Sequence, residues 1–375
     1  MIYLLYREYN PESAASIRAL AYFRGMAEVG VQATVVYFFP DDRKSRVKYT
    51  FTGIYIHYCW DHGFINLWPL KYLSYLSYIK NLKKRLRAGD IVYIYGLNDI
   101  KGRFAGISGV KVYYEVTESP LVSLPGTYLH KPSLKEYLND CKKMDGIIAI
   151  SQKLKEYFIG QGIEEDRIHV INMTVDSKRF EGIKKDLTKG RTVVYCGSIS
   201  NNKDGVDRLI KAFSQVTIKH PDVKLCLLGN PTSPGVKNSN ESLVHELKLE
   251  DKVLMPGRIS FSDMPQWLVD ATVLALDRPN NIQAEYGFPT KLGEYLLSGN
   301  PVVVTSVGDI PLFLDDKESA LIADPDDNDV FAAKLDWVLS NPDEAAVIGA
   351  KGREVALLNF NYLIETKKLI NVLKS

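Results

Sequence analysis

A chain of 375 residues is too long for one typical domain, so its length predicts two. Its hydrophobic fraction of 46% and its charged fraction of 25% are those of a globular protein with a sizeable core. The formal net charge of +2 argues against a protein dedicated to binding nucleic acid.

In the first half of the chain, short apolar runs alternate with segments of helical periodicity. This alternation predicts an α/β fold with parallel strands. Helices are predicted over Ser16–Val29, Leu70–Arg87 and Ser133–Lys143. Strands are predicted over Ile2–Tyr6, Ala33–Phe39, Ile54–Tyr58, Ile91–Tyr95, Lys111–Glu115, Gly146–Ala149 and Ile168–Ile171.

A polar stretch, EGIKKDLTKG, follows Phe180 and has the features of an interdomain linker. The alternation then resumes. Strands are predicted over Thr192–Cys196, Lys224–Leu228, Lys252–Met255, Thr272–Ala275 and Pro301–Thr305. Helices are predicted over Gly205–Ile218, Asp263–Val269, 290–299, 329–340, 344–357 and 363–373.

This order predicts two doubly wound domains facing across a cleft. Residues 1–182 form the N-terminal domain and 190–360 the C-terminal domain, and the helix in 361–375 is expected to pack back towards the N-terminal domain. Residues 1–180 contain 25 Lys and Arg against 18 Asp and Glu, whereas the remainder contains 22 against 27. The two halves are therefore expected to handle different ligands.

The cysteines and the apolar runs indicate the compartment. Cys59, Cys141, Cys196 and Cys226 show no metal-ligand spacing and are expected to be free thiols, as in a reducing cytoplasm. The chain begins with a strand-like run and no signal sequence is apparent. No stretch reaches ~18 uninterrupted apolar residues, so we expect no transmembrane helix.

The segment EYGFPTKLGEYLLSGNPVV, residues 285–303, is the most informative in the chain. Gly287, Phe288 and Pro289 lead into a predicted helix, and such a helix start directs N–H groups and a positive dipole end at an anion. Thr290, Lys291 and Glu294 share one face of this helix, so Lys291 could complement a diphosphate and Glu294 could bind a ribose diol. The alternative is an ordinary loop and helix with solvated charges.

Other loops end strands on the same predicted sheet edge. Gly197 and Ser198 begin the loop that carries Lys203 to the next helix, where an ammonium group could meet a phosphate; the alternative is a surface lysine. Gly229 makes a tight strand exit. The Arg258-Ile259 turn could approach a flat ring closely.

The order and spacing of these pieces resemble the retaining glycosyltransferases of family 4, which have the GT-B fold. The resemblance covers most of the chain and rests on residues 150–154, 167–176 with Phe180, 197–212, 253–257 with 264–268, 285–303, 308–311, Gly349, Gly352, Arg353 and Phe360.

The resemblance implies that the C-terminal domain binds a UDP- or GDP-linked sugar and the N-terminal domain a glycan or lipid-linked acceptor. Lys203 would bind phosphate, and Glu294 would bind the ribose as the second glutamate of an E-x7-E motif. The 287–290 loop would donate N–H groups to the diphosphate, and Arg258-Ile259 would receive the base. Transfer would proceed with retention and without a metal or other cofactor, and surface-polysaccharide assembly is the expected pathway.

Two positions depart from the family pattern. The first glutamate of E-x7-E falls at Tyr286, while the nearest acid is Glu285, and we favour Glu285 as the group near the sugar. Ser198 occupies a position where many members have an arginine, and Arg278 is a candidate to supply that charge.

In the acceptor half, Glu118 follows a strand and could bind hydroxyls or act as a base; satisfying its own loop is the alternative. His130 is a further candidate.

The basic and aromatic segment Leu67–Arg87 predicts either a helix packed on the sheet or a peripheral contact with an anionic membrane. Asp324-Pro325-Asp326 is interpreted as a capping turn rather than a metal site. Two alternative functions are a sugar-nucleotide 2-epimerase of the same fold and a nucleotide-sugar-binding scaffold.

Overall fold

The structure is a computed structural model that describes residues 1–10, 13–38, 46–47, 49–59, 68–97, 102–122, 124 and 132–375. The described residues form two units. Unit 1 consists of Met1–Thr174 with Tyr362–Ser375, and unit 2 consists of Val175–Asn361.

The sheet of unit 1 is built from short apolar runs. Its strands are β1 (Ile2–Tyr6), β2 (Ala33–Tyr37), β3 (Ile54–Tyr58), β4 (Ile91–Tyr95), β5 (Lys111–Val116), β6 (Gly146–Ala149) and β7 (Ile168–Val170). All neighbours are parallel, in the order β3-β2-β1-β4-β5-β6-β7. The order reverses at β1, which is the doubly wound arrangement that the alternating pattern predicts.

Unit 2 repeats the arrangement with six strands. They are β8 (Thr192–Cys196), β9 (Lys224–Leu228), β10 (Val253–Gly257), β11 (Val273–Leu276), β12 (Val302–Thr305) and β13 (Leu321–Ala323). All are parallel, in the order β10-β9-β8-β11-β12-β13. The sequence analysis did not predict β13, because three residues are too few to show a periodicity.

The helices cross between these strands. They are α1 (Ala14–Glu28), α2 (Trp68–Arg85), α3 (Leu134–Cys141), α4 (Gln152–Gly160), α5 (Asn201–Asp204), α6 (Val206–Lys219), α7 (Pro234–Glu246), α8 (Met264–Asp270), α9 (Ile282–Tyr286), α10 (Thr290–Leu297), α11 (Asn328–Ser340), α12 (Pro342–Asn359) and α13 (Tyr362–Lys374). Within the described ranges, no helix combines the length and apolarity needed to span a bilayer. The pattern missed α7, whose first turns are rich in Gly, Ser and Asn.

Several helices begin at a side-chain cap. Ser133 starts α3 with a reciprocal capping box to Glu136, and Ser151 accepts from the backbone N–H of Leu154 at the start of α4. Asp327 caps α11 in the same way. Each cap satisfies a backbone donor that the first helical turn leaves unpaired.

The core of unit 1 includes the last helix of the chain. Leu369 and Leu373 of α13 belong to the same buried cluster as Phe23 of α1. The two helices approach closely at Gly25, where a Cβ atom would lie 2.4 Å from Oγ1 of Thr366. A side chain at Gly25 would force the helices apart, so the glycine permits this contact.

Candidate functional site

Two glycines bring the ends of β8 and β9 into contact at the carboxyl edge of the unit 2 sheet. Gly197 has φ +145° and Gly229 has φ +152°, in the region that glycine occupies without strain. A Cβ atom on Gly229 would lie 1.8 Å from the carbonyl oxygen of Gly197. Only glycine at Gly229 permits this approach. The two predicted strand exits, at Gly197 and Gly229, are therefore in direct backbone contact.

The position of Lys203 differs from the prediction. The sequence analysis placed it in a loop before a helix, whereas it lies inside the four-residue helix α5, which Ser200 caps by accepting from the Lys203 N–H. Helix α5 ends at Gly205, and α6 starts there. The side chain of Lys203 is half-buried, and its carbonyl accepts a hydrogen bond from Nε of Arg278 at 3.3 Å.

A buried charge cluster lies beneath this loop, and we call Asp204, Lys291, Arg278 and Tyr195 the Asp204 cluster. Nζ of Lys291 lies 2.6 Å from Oδ2 of Asp204 and 2.8 Å from the hydroxyl of Tyr195. That hydroxyl contacts Oδ2 of Asp204 at 2.8 Å, and Nε of Arg278 lies 3.6 Å from Oδ1. Burial acts to raise the pKa of Asp204, but Lys291 and Arg278 outweigh it and lower the pKa.

The cluster contains two cations and one carboxylate, so it has a net positive charge. The ammonium group of Lys291 lies against Gly197, because a Cβ atom there would be 2.3 Å from Nζ. Lys291 is thus not a solvated surface charge. Sequence reasoning missed Asp204, because its role depends on a contact with Lys291, which lies 87 residues further along the chain.

Ser198, at the position where many family members have an arginine, and Arg278, the candidate to supply that charge, differ in exposure. Ser198 is exposed, and its carbonyl accepts from the Tyr195 hydroxyl at 2.7 Å. Arg278 has a side-chain exposure of 2% and belongs to the Asp204 cluster. Its carbonyl is held by the hydroxyl of Thr305 at 2.8 Å. A guanidinium group so placed contributes charge from below the loop.

The 285–290 segment is partly helical. Glu285 and Tyr286 lie in α9, which Asn281 caps, and Glu285 is exposed while Tyr286 is half-buried. The sequence analysis predicted no helix between Val269 and residue 290, and it missed α9, which begins because the Asn281 side chain caps a helical turn.

The loop proper is reduced to Gly287, Phe288 and Pro289, all buried. The N–H of Gly287 donates to the carbonyl of Gln283 at 3.2 Å. Pro289 has no N–H to donate. It occupies the N-cap position of α10 without a side-chain cap, so the donors aimed out of this helix are those of its first turn.

Glu294 lies on α10 and forms an ion pair with Arg179. The guanidinium of Arg179 also donates to the carbonyl of Phe261 at 2.7 Å and lies 3.5 Å from the centroid of the Phe261 ring. Arg179 belongs to a short 3-10 turn, Ser177–Phe180. Sequence reasoning missed it, because an arginine in a polar turn has no distinguishing local signal.

The Arg258-Ile259 turn directly follows β10. Gly257 has φ +80°, and its carbonyl accepts from the N–H of Gly229 at 2.9 Å. The turn therefore leaves the same sheet edge as the Gly229 loop. Arg258 is exposed and Ile259 is half-buried.

The candidates outside unit 2 are fewer. Glu118 follows β5 at the carboxyl edge of the unit 1 sheet and is half-buried. His130 lies outside the described residues. Within unit 2, Asp326 of the Asp324-Pro325-Asp326 turn forms an ion pair with Arg208 at 2.7 Å. Among the residues that the structure describes, no group of three or more His, Cys, Asp or Glu side chains could hold a metal ion.

Comparison with known proteins adds family information to this geometry. Residues 15–179 match the family model described as Glycosyltransferase Family 4, and residues 190–341 match the model described as Glycosyl transferases group 1. Together the two models span most of the chain.

Two curated relatives illustrate the range of similar proteins. A GDP-mannose-dependent monoacylated alpha-(1-6)-phosphatidylinositol monomannoside mannosyltransferase of Corynebacterium glutamicum is 27% identical over 205 residues, or 54% of this chain and 52% of the relative. Mannosylfructose-phosphate synthase of Agrobacterium fabrum is 28% identical over 183 residues, or 45% of this chain and 39% of the relative. The chain thus matches about half the length of the first relative and less of the second.

Solved structures match over the full length. Alr3699/HepE of Anabaena, in complex with UDP and glucose, has a TM-score of 0.78 at 18% identity and covers 100% of this chain and 99% of its own. Sucrose-phosphate synthase of Thermosynechococcus elongatus has a TM-score of 0.75 at 16% identity, with 99% and 98% coverage. At these identities the likeness is one of fold.

Proposed function

The chain belongs to the glycosyltransferases of the GT-B fold, and we propose that it transfers a sugar from a UDP- or GDP-linked donor to a glycan or lipid-linked acceptor. The proposal depends on three features that occur together at the carboxyl edge of the unit 2 sheet. They are the start of α10, which has no side-chain cap, the positively charged Asp204 cluster and the carboxylate of Glu294.

Each group has a role in the proposed reaction. The first turn of α10 and Lys203 would bind the diphosphate, with Lys291 and Arg278 adding positive charge from below the Gly197 loop. Charge develops on the diphosphate as the bond to the sugar breaks. Fixed donors and cations stabilise that charge, and one such group contributes roughly 10²–10³ in rate. Glu294 would bind the ribose, and the Arg258-Ile259 turn would receive the base.

Two acids are proposed to contact the reacting groups. Glu285 at the end of α9 would lie near the donor sugar, and Glu118 after β5 would bind or deprotonate the acceptor. We propose retention at the anomeric carbon on the strength of the family resemblance. A role in surface-polysaccharide assembly is proposed on the same ground.

The experiment is a panel of nucleotide sugars, in which binding is followed by thermal shift and transfer or hydrolysis by release of the nucleoside diphosphate. We expect a UDP- or GDP-sugar to stabilise the protein and to be turned over. Glu294→Gln should weaken donor binding at least tenfold, while Glu246→Gln, on an exposed site at the end of α7, should not. Binding without turnover would favour the scaffold, and release of an epimerised sugar would favour the epimerase.

A peripheral membrane contact is the second part of the proposal, and it concerns α2. The apolar stripe of this helix, Tyr75, Ile79 and Leu82, is buried, so the helix packs inward along most of its length. Leu73 is 59% exposed, and Lys83, Lys84 and Arg85 form a basic last turn. We expect salt-sensitive binding to anionic liposomes that K83E/K84E abolishes; equal binding by this variant would contradict the assignment.

A further inference from the structure

Arg179 contacts two different elements of unit 2 with one planar group. One guanidinium nitrogen pairs with Oε1 of Glu294 on α10. The other donates to the carbonyl of Phe261 at 2.7 Å, and Cζ of Arg179 lies 3.5 Å from the centroid of the Phe261 ring. Phe261 follows the Arg258-Ile259 turn by two residues. Arg179 therefore joins the turn after β10 to the carboxylate on α10.

The contact is well shielded from water. The side chains of Arg179 and Glu294 are 11% and 16% exposed. Charge-assisted hydrogen bonds in such surroundings are stronger than those of solvated surface pairs. The geometry also suits arginine better than lysine, because a guanidinium can lie over a ring while it donates from two separate nitrogens, whereas lysine has a single nitrogen.

We propose that Arg179 is a positioning residue for the nucleoside half of the donor, an inference that rests on the proposed function. By holding both elements, Arg179 fixes the spacing between the group that would bind the ribose and the turn that would receive the base. Its pairing takes Oε1 of Glu294, so a ribose diol would donate to Oε2. Arg179 itself does not touch the diphosphate or the reacting atoms.

This role predicts a particular kinetic pattern. Loss of Arg179 lets the rotamer of Glu294 and the 258–261 turn move, so recognition of the nucleoside weakens. The groups proposed to hold the diphosphate are on α5 and in the first turn of α10, one turn before Glu294, and Arg179 contacts none of them through Glu294 or Phe261, so they keep their own contacts. The effect therefore falls on the KM of the donor and on the Kd of the free nucleoside diphosphate, whereas kcat and the acceptor KM change little.

The test compares Arg179→Lys and Arg179→Met with a matched control, Arg191. The guanidinium of Arg191 also joins a carboxylate to a carbonyl within unit 2, contacting Asp222 at 3.3 Å and the carbonyl of Leu339 at 2.7 Å. Arg191 directly precedes β8 and so lies at the amino edge of the sheet. The candidate site lies at the opposite, carboxyl edge, so Arg191 is not expected to affect it. Arg191→Lys and Arg191→Met should leave the donor KM within about twofold.

We expect both Arg179 variants to raise the donor KM and the Kd of the nucleoside diphosphate about tenfold or more, with kcat within about threefold and the Kd of inorganic pyrophosphate unchanged. The variant R179M/E294Q should bind the donor no more weakly than E294Q alone, because both substitutions break the same Arg179–Glu294 contact. Arg179→Lys retains the charge and most of the side-chain volume, so it covers the case in which Arg179→Met fails to fold.

Several results would overturn the inference. Unchanged donor KM in the Arg179 variants, with a large loss in E294Q, would refute the positioning role and leave the proposed function intact. A parallel loss in pyrophosphate binding would indicate a general collapse of the site. Failure of the wild-type protein to bind any nucleotide sugar would refute the proposed function itself, and this inference with it.

Discussion

Removal of Lys291 tests whether the Asp204 cluster is held together by its buried ion pair. In Lys291→Met the chain length of the side chain is retained but the ammonium group, 2.6 Å from Oδ2 of Asp204, is lost. Asp204 has a side-chain exposure of 4%, so its carboxylate cannot regain water in place of the lost partner. The variant therefore leaves a charge buried beneath the Gly197 loop.

The magnitude follows from the surroundings. Breaking one side of a buried ion pair costs about 3–5 kcal/mol. Lys291 is 17% exposed, and Asp204 keeps the Tyr195 hydroxyl at 2.8 Å and Arg278 at 3.6 Å, so we expect the lower end, about 3 kcal/mol. For a unit of this size the melting temperature should fall by roughly 6–12 °C.

The assay is chemical and thermal unfolding without nucleotide, so that loss of ligand binding cannot contribute. The double variant D204N/K291M should recover only part of the loss, because it removes the carboxylate that Lys291→Met leaves behind but also takes Asp204 away from the buried guanidinium of Arg278. Lys219→Met serves as the control: Lys219 pairs with Asp336 at 2.7 Å, but its side chain is 69% exposed, so the expected loss is below about 1 kcal/mol. Equal losses in Lys291→Met and Lys219→Met would refute the reasoning.

Three further predictions concern single positions. Gly205→Ala should cost about 2–4 kcal/mol in unfolding free energy, because φ is +62° and a Cβ atom would lie 1.9 Å from the carbonyl oxygen of Asp277; a loss below about 1 kcal/mol in urea titration would contradict this. Burial raises the pKa of Asp277 to about 6 although Arg208 lies 3.2 Å away, so the folded state binds more protons and stability falls as pH rises from about 4 to 6, by on the order of 3 kcal/mol. Asp277→Asn should abolish that component of the pH dependence, and an unchanged slope in denaturation midpoints from pH 4.5 to 7 would refute it. Ser133→Ala removes the capping box with Glu136 and should cost about 1 kcal/mol by the same titration, whereas an unaltered midpoint would show that the cap is dispensable.

Much of the fold follows from local pattern. Buried parallel strands are continuous apolar runs, so Thr192–Cys196 and Val302–Thr305 were predictable from residue type alone. The amphipathic face of α10 was equally clear, since Leu292, Tyr295 and Leu296 are all buried. Segments without a clear local signal were missed. Strand β13 has only three residues, and α9 is a five-residue helix that depends on the Asn281 cap.

The candidate site divides in the same way. The sequence by itself determined the strand exits and the helix start, because glycines, a proline and a periodic apolar face act through the backbone within a few residues. Only the tertiary structure decided which charges meet. Lys291 pairs with Asp204 across 87 residues and Glu294 with Arg179 across 115, and such partners are chosen by how the strands and helices pack rather than by any neighbour in the chain.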